Sequence, residues 1–325
     1  QRTEVRRDWS PRVSLVAATG IPSPSEGVWY LGPLPLRAYG IIIAIGMVVG
    51  VWWTARRYVA RGGSSDTIYD VALWAIPLGV VGARLYHVVT SPEAYFGPGG
   101  DPMLAFQIWR GGLGIWGGVA LGALGAYVGV KRAKVRFGPI ADSLAPALLV
   151  AQGIGRWGNW FNQELFGGPT TLPWGLQIDA AHVPAGYPVG TLFHPTFLYE
   201  SLWDLAGAAL IVALERRRRF AAGQLFGMYL MVYTAGRAWI EMLRIDDAHT
   251  VAGLRLNVWT SLAVFLLGVA LFVVAGRLGG STLRLATPML RTLSRHAWAR
   301  TSPPRRVLSK TFKPPSGTLL ESKVP

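Results

Sequence analysis

The sequence predicts an all-α polytopic membrane protein of seven transmembrane helices, with the N-terminus outside and the C-terminus cytoplasmic. Three observations carry that reading. The 325 residues are 51% hydrophobic and only 15% charged, with a mean hydropathy of +0.33. Apolar stretches of the roughly 20 residues needed to cross a bilayer recur along the chain. Basic residues gather after alternate stretches, as in loops that face the cytoplasm. The same composition excludes other classes. A disordered chain would carry more charge and fewer aromatics than the 14 Trp, 11 Tyr and 12 Phe found here. With no Cys, there is no disulfide framework and no thiol of the chain's own for nucleophilic, redox or metal chemistry. A net charge of +15 would suit a polyanion, but a chain this apolar is expected to partner the bilayer and not nucleic acid.

The first span, 38–55, is free of charge and stops at Arg56. The second, 68–90, is apolar apart from Asp70, Arg84 and His87. The third, 111–130, is free of charge, and the fourth, 139–160, contains Asp142 and Arg156. The fifth, 195–214, contains Glu200 and Asp204; the sixth, 221–243, contains Arg237 and Glu241; the seventh, 256–276, is again uncharged. Arg56, Arg57 and Arg61 follow the first span, Lys131, Arg132, Lys134 and Arg136 the third, and Arg216, Arg217, Arg218 and Arg219 the fifth. These loops are expected in the cytoplasm. The loop 161–193 has no Lys or Arg and is expected outside, as a cap, a peptide-binding edge or a linker. Residues 1–33 are expected to be extracytoplasmic and hold no apolar run of signal-peptide length. Their Arg2, Arg6, Arg7 and Arg12, with Arg37 beyond, oppose that placement and are outweighed by the three internal loops. Residues 34–277 form the membrane domain. The tail 278–325 has nine basic residues and one acid, Glu321. It is expected to be a disordered cytoplasmic segment, with contact to anionic lipid as the sharper alternative. Oligomeric state is not legible.

A charge at the centre of a span costs about 2.5–3.5 kcal/mol on insertion scales, so the charged spans point to pairing or to function. With this topology Arg84, His87, Arg156, Asn159, Arg237, Glu241 and Arg244 fall near the outer face, together with Tyr39, 111–118, His194, Tyr199 and Glu200. Asp70 and Asp142 fall at inner ends, as ordinary interfacial residues. A channel would spread polar groups through the bilayer, and a transporter would place them at the midplane. A cluster in one leaflet suits an enzyme or binder working at that interface. Arg84, Arg156 and Arg237 suit a phosphate, which a guanidinium holds through two parallel hydrogen bonds; a phospholipid head group supplies one. For Arg237 and Glu241, four residues apart, a simple ion pair on one helix face is the plainer alternative. No His/Asp/Glu cluster has ligand spacing, so neither metal nor cofactor is expected.

The segment Gly155-Arg156-Trp157-Gly158-Asn159-Trp160-Phe161-Asn162-Gln163-Glu164-Leu165-Phe166-Gly167 resembles the signature of the prolipoprotein diacylglyceryl transferase family. That signature reads roughly G-R-x-G-N-F-x-N-x-E-x-x-G, and Trp160 stands where Phe is usual. The resemblance runs from about residue 34 to 276. It takes in Tyr39-Gly40, Gly82-Ala83-Arg84, Gly111-Gly112, His194-Pro195, Leu198-Tyr199-Glu200 and then Tyr233, Arg237, Glu241 and Arg244. It implies a seven-span enzyme of the bacterial cell membrane with its active site toward the outer leaflet. It implies transfer of the diacylglyceryl group of phosphatidylglycerol to the lipobox Cys thiol of a prolipoprotein signal peptide, with release of glycerol 1-phosphate. Lipoprotein maturation would begin with that step, and the reacting thiol belongs to the substrate.

By resemblance, Arg156 contacts phosphatidylglycerol, and Arg84, Glu164, Gly167 and Arg244 belong to the same binding set. Arg237 would offset charge on the departing phosphate. Asn159 would support the site, Tyr39 and Tyr233 would orient groups by hydrogen bonds, and Glu241 would hold an arginine. One departure stands out. Many relatives have a His, proposed as a base, where this chain has Trp116 after Gly111-Gly112. A thiol of pKa about 8.5 is already partly ionised near neutrality, so a dedicated base contributes little; His194 and His87 are the alternative bases. The competing reading is a phospholipid-binding or transport protein without chemistry, which would place polar groups through the inner leaflet as well.

Overall fold

The computed structural model describes residues 20–32 and 34–301, with the side chains of all of these but 34 and 280–301. The chain divides into two compact units, Gln1–Gly279 and Gly280–Pro325. The first unit is mostly helical. Its long helices are α1 (Ala38–Ala60), α2 (Ser65–Thr90), α4 (Ile115–Arg132), α5 (Phe137–Gly155), α7 (Thr196–Arg217), α8 (Gln224–Leu243) and the start of α9 (Leu256–Thr301). Short helices α3 (Glu93–Phe96) and α6 (Trp157–Asn162) and two 3-10 turns, Pro102–Phe106 and Ile108–Arg110, fill the links. Among the described residues five stretches are long and apolar enough to cross a membrane: Ala38–Ala60, Ser65–Thr90, Phe137–Asn162, Thr196–Arg217 and Leu256–Gly279. They leave large apolar side chains such as Val48, Leu73 and Leu266 exposed, the surface of a membrane protein. The third and sixth predicted spans form helices too. However, α4 is only 18 residues long and closes on Lys131 and Arg132, and α8 carries Arg237 and Glu241; neither reaches that threshold.

Several boundaries have a local cause. Gly62, at φ +86°, turns the chain out of α1, and Ser64 caps α2 by accepting from the Asp66 amide at 3.3 Å. The third predicted span starts late, at Ile115 rather than 111. Gly111 and Gly112 sit at φ +92° and +73°, so they cannot belong to a right-handed helix. Small residues then set the packing. Gly82 of α2 and Gly117 of α4 face each other so closely that a Cβ on either would strike the other's carbonyl oxygen. The central helix is α5, which packs on α1, α7 and α8.

Charge at the other end of the bundle is not merely topological. Arg57 and Arg61 of the α1 end both bind Glu215 of α7, Arg57 at 2.7 Å. Arg57 also donates to the Ser143 carbonyl of α5 at 3.1 Å. Asp142, expected as an ordinary interfacial residue, is instead buried. Its carboxylate accepts from the Gly223 and Phe226 amides at 2.8 and 3.0 Å. It thereby caps α8, whose own N-cap position, Gly223, has no side chain. A cap supplied from some 80 residues away leaves no local sequence signal.

The first unit is mostly helical, as expected of an all-α membrane protein, and a few short strands accompany the helices. β1 (Ile21–Pro22), β4 (Leu176–Gln177) and β5 (Leu192–Phe193) form a three-stranded sheet in the order β1-β4-β5. β2 (Val28–Leu31) and β3 (Leu34–Arg37) form a hairpin directly before α1. β6 (Thr250–Val251) and β7 (Leu254–Arg255) form another before α9. Strands of two residues show no alternation of apolar and polar positions, so sequence periodicity cannot find them. The loop 161–193 is thus folded. Its Phe166, Leu176, Ile178 and Phe193 bury an aromatic-rich core with Phe197. Helix α9 continues past 278 to Thr301; the rest of the predicted tail, 302–325, and the first 19 residues lie outside the described residues.

Candidate active site

Two cavities adjoin at Tyr39. The smaller, about 290 Å³, is lined by Tyr39, Ile43, Met47, Gln152, Arg156, Asn159 and Tyr233, among others. The larger, about 840 Å³, lies between the β2–β3 hairpin, α1, the Ile108–Gly114 stretch and Glu164. Tyr39, Ile43 and Ile115 line both. Tyr39 is in the first turn of α1 and packs on Gly158, where a Cβ would come within 2.6 Å of its ring. Tyr233 of α8 stacks on Tyr229 at 6.0 Å between centroids.

Arg156 stands at the break between α5 and α6. After α6 the chain reverses through two left-handed residues, Gln163 at φ +51° and Leu165 at φ +60°. Such backbone is strained for non-glycine residues, and the Gln163 side chain holds it. Its amide nitrogen donates to Asp179 Oδ2 at 2.6 Å and to the Pro24 carbonyl at 3.0 Å; its oxygen accepts from the Asp179 amide at 2.8 Å. The reversal brings Glu164 back over α6, where Oε1 accepts from Asn159 Nδ2 at 2.9 Å and Asn162 Nδ2 at 3.1 Å.

Beside the smaller cavity runs a chain of ion pairs. Arg156 Nε binds Glu200 Oε2 at 2.5 Å, and Arg237 Nη1 lies 3.4 Å from the other oxygen of Glu200. Arg237 Nη2 binds Glu241 Oε2 at 2.6 Å. Glu241, with no exposed side-chain surface, also meets Arg244 at 3.5 Å and Arg255 at 2.8 Å, and accepts from Asn257 at 3.1 Å. Asp246 closes the series with a two-point pair to Arg244 at 2.7 and 2.8 Å and a contact to Arg255 at 2.9 Å. Burial pushes the Asp246 carboxyl up, but the Arg244 hydrogen bonds and the charges of Arg244 and Arg255 outweigh it and hold it below the usual carboxylate range.

The series begins on Arg156, and Arg156 and Arg237 share the single carboxylate of Glu200. An anion reaching the smaller cavity meets Arg156 in its wall, with Arg237 behind it on the other oxygen of Glu200. Among the described residues no group of three or more His, Asp or Glu is placed to hold a metal ion.

The family model described as prolipoprotein diacylglyceryl transferase matches residues 26–274. The chain belongs to the prolipoprotein diacylglyceryl transferase family. It is 57% identical over 255 residues to phosphatidylglycerol–prolipoprotein diacylglyceryl transferase 2 of Streptomyces coelicolor, covering 78% of this chain and 80% of that protein. The Bifidobacterium adolescentis protein named phosphatidylglycerol–prolipoprotein diacylglyceryl transferase is 50% identical over 286 residues, 84% of this chain and 85% of its own length. A Frankia alni relative of the same name is 53% identical over 256 residues, 78% of this chain and 67% of its own length. Membership makes this chain a transferase of lipoprotein biosynthesis.

The fold brings together some of the residues singled out from the sequence and separates others. Tyr39, Arg156, Asn159 and Tyr233 line one cavity; Arg237 and Glu241 are tied to them through Glu200, and Glu164 through Asn159. Arg84 is elsewhere. It is buried, and its guanidinium donates to four carbonyls, of Leu104, Ala105, Gly111 and Gly112. It clamps the wall of the larger cavity. Arg244 is locked between Glu241 and Asp246. Gly167 pairs with Arg244 in a β-bridge, where a Cβ would come within 2.8 Å of His194 and 3.0 Å of the Leu243 oxygen. His194 Nδ1 meets the Tyr199 hydroxyl at 3.2 Å, outside the lining of both cavities. His87 Nδ1 meets Tyr95 at 2.8 Å. Half-exposed Trp116 also lies outside both linings. Glu200, Asp246, Arg255 and Asn257 were not selected as site residues from the sequence. The signal for Glu200 is an acid inside an apolar span; Asp246 follows α8, Arg255 ends β7 and Asn257 opens α9, at positions where a polar residue carries no such signal.

Proposed function

We propose that this chain transfers the diacylglyceryl group of phosphatidylglycerol to the lipobox Cys thiol of a prolipoprotein signal peptide, releasing glycerol 1-phosphate. The observation that carries the reading is the convergence of Arg156 and Arg237 on Glu200 beside a cavity lined by Tyr39, Asn159 and Tyr233. The names of the relatives supply the substrates. The phosphate is held by Arg156 and Arg237. The thiol gives its proton to water, and the thiolate attacks the glyceryl carbon bonded to the phosphate ester oxygen. The S–C bond forms as the C–O bond breaks, and the electron pair leaves on the phosphate oxygen. The two guanidiniums stabilise that growing charge, an interaction stronger in the transition state than in the ground state. Tyr39 and Tyr233 orient the lipid, and Glu164 fixes Asn159. No cofactor enters the reaction as written.

The reading includes a topology: seven spans, N-terminus outside, C-terminus cytoplasmic, in the bacterial plasma membrane, with the arginine-lined cavity toward the outer leaflet. The basic runs after α1, α4 and α7 support it. The test uses purified protein in detergent, phosphatidylglycerol and a synthetic lipobox peptide with or without its Cys. Expected is a mass gain of one diacylglyceryl unit, only with Cys, abolished in Arg156→Ala. Lipid binding without peptide modification would instead leave a phospholipid-binding protein.

A further inference from the structure

Glu200 and Glu241 are each tied to two or more arginines. Glu164 is different. It is exposed, and among the described residues its side chain bonds only the amides of Asn159 and Asn162, at 2.9 and 3.1 Å. Both amides donate to the same oxygen, Oε1. A carboxylate can accept on both oxygens, so Oε2 is left for a ligand. The chain reversal through Gln163 and Leu165, both at positive φ, holds the residue in that place.

That place is the junction of the two cavities. Glu164 lines the larger one with Tyr39 and Asn162, and its other amide partner, Asn159, lines the smaller one beside Arg156. The charges of Glu164 and Arg156 both reach Tyr39. Among the described residues that line the two cavities, Glu164 is the one carboxylate, and none is a His. The other titratable groups in the larger lining are Arg37 at the end of β3 and Tyr39 of α1. Much of the rest is apolar, with Leu36, Ile41, Leu113 and Ile115 among it. Apolar surroundings hold an entering thiol in its neutral form, so its proton needs an acceptor there. A carboxylate in one cavity and a guanidinium in the next is the order a displacement requires: a base by the attacking atom, a cation by the departing oxygen.

We propose that Glu164 is a catalytic residue, the general base that takes the proton of the substrate thiol in the larger cavity. This rests on the proposed transferase reading and puts Glu164 in the place of water as the first acceptor of that proton. The S–H proton passes to Glu164 Oε2 as the S–C bond forms and the C–O bond breaks. The electron pair leaves on the phosphate oxygen held by Arg156 and Arg237, and Glu164 then gives the proton to water. Asn159 and Asn162 hold the carboxylate by Oε1 throughout.

The experiment uses the full chain in detergent with phosphatidylglycerol and two lipobox peptides, one with Cys and one with selenocysteine. The selenol is already ionised at neutral pH and needs no base. Transfer is followed by peptide mass between about pH 6 and 8, where an ordinary carboxylate is ionised and an ordinary thiol protonated. In wild type, kcat/KM for the Cys peptide is expected to stay nearly flat over that range. Glu164→Gln keeps an oxygen for both Asn amides and loses the base. It is expected to lower kcat/KM for the Cys peptide about 100-fold at neutral pH. It should regain about tenfold per pH unit as the thiol ionises by itself, and should serve the selenocysteine peptide within a few-fold of wild type. Equal slowing on both peptides at every pH marks a merely structural role and overturns the proposal, as does a variant as fast as wild type on the Cys peptide. A wild-type rate that itself climbs about tenfold per pH unit overturns it without any variant, so the test survives a Glu164→Gln that does not fold. No transfer by wild type to either peptide removes the transferase reading and this role together, whereas transfer with the wrong pH dependence removes the role alone.

Discussion

At the scale of single residues, Glu200 and Glu241 explain how four arginines can sit in an apolar bundle. Each carboxylate serves more than one guanidinium. Removing one partner of such a buried set costs about 3–5 kcal/mol, so Glu241→Ala is expected to lower the unfolding temperature sharply. Arg237→Lys keeps the charge but loses the fork that spans Glu200 and Glu241. It is expected to lower kcat about 10- to 100-fold, as loss of a charged hydrogen bond in the transition state does, with KM little changed. Steady-state kinetics with the lipobox peptide decides; a rise in KM alone would mean that Arg237 only binds lipid. His194 reaches the Tyr199 hydroxyl and no cavity, so His194→Ala is expected to leave kcat within a few-fold and to lower thermal stability. A lost kcat with an intact fold would make His194 the base after all. Sequence reading selected Arg156, Arg237 and Glu241 because charge in an apolar span is costly. That argument cannot tell a charge facing substrate from one clamping backbone, which is why Arg84 was grouped with them.

At the scale of elements, helix contacts and the α8–α9 connection carry the site. The α2–α4 contact needs glycine at Gly82 and Gly117, whereas a Cβ at Gly122 meets nothing nearer than 3.6 Å. Gly82→Ala is expected to cost about 1–3 kcal/mol through overpacking, and Gly122→Ala to be nearly neutral; thermal unfolding in detergent separates them. The β6–β7 hairpin is latched by Asp246 on Arg244 and Arg255. Because the folded-state pKa of Asp246 is lowered, the latch stabilises fully above the ordinary carboxylate value of about 4 and is lost as pH falls through the lower folded value. Proteolysis within 246–253 should therefore rise only in acid for wild type, and at neutral pH in Asp246→Asn. Equal cleavage of both at neutral pH would show that the hairpin is held by other contacts.

At the scale of the whole molecule, the absence of Cys makes topology directly measurable, since each added Cys is the only one. In intact cells Trp174→Cys is expected to react with an impermeant maleimide, and Arg218→Cys only after lysis; the reverse pattern would invert the proposed orientation. What the sequence by itself determined was the class and the family. Apolar length, charge at alternate loops and the Arg156 to Gly167 signature are local properties, and local properties survive without coordinates. The long helices were legible for the same reason, and among the described residues five of them are long and apolar enough to keep a continuous backbone in lipid. Only the tertiary structure decided which charges meet. The sharing of Glu200 by Arg156 and Arg237, the capping of α8 by Asp142 and the clamp of Arg84 join residues far apart in the chain. Such contacts depend on which helix faces come together, and side-chain packing between helices sets that rather than any periodicity along one of them.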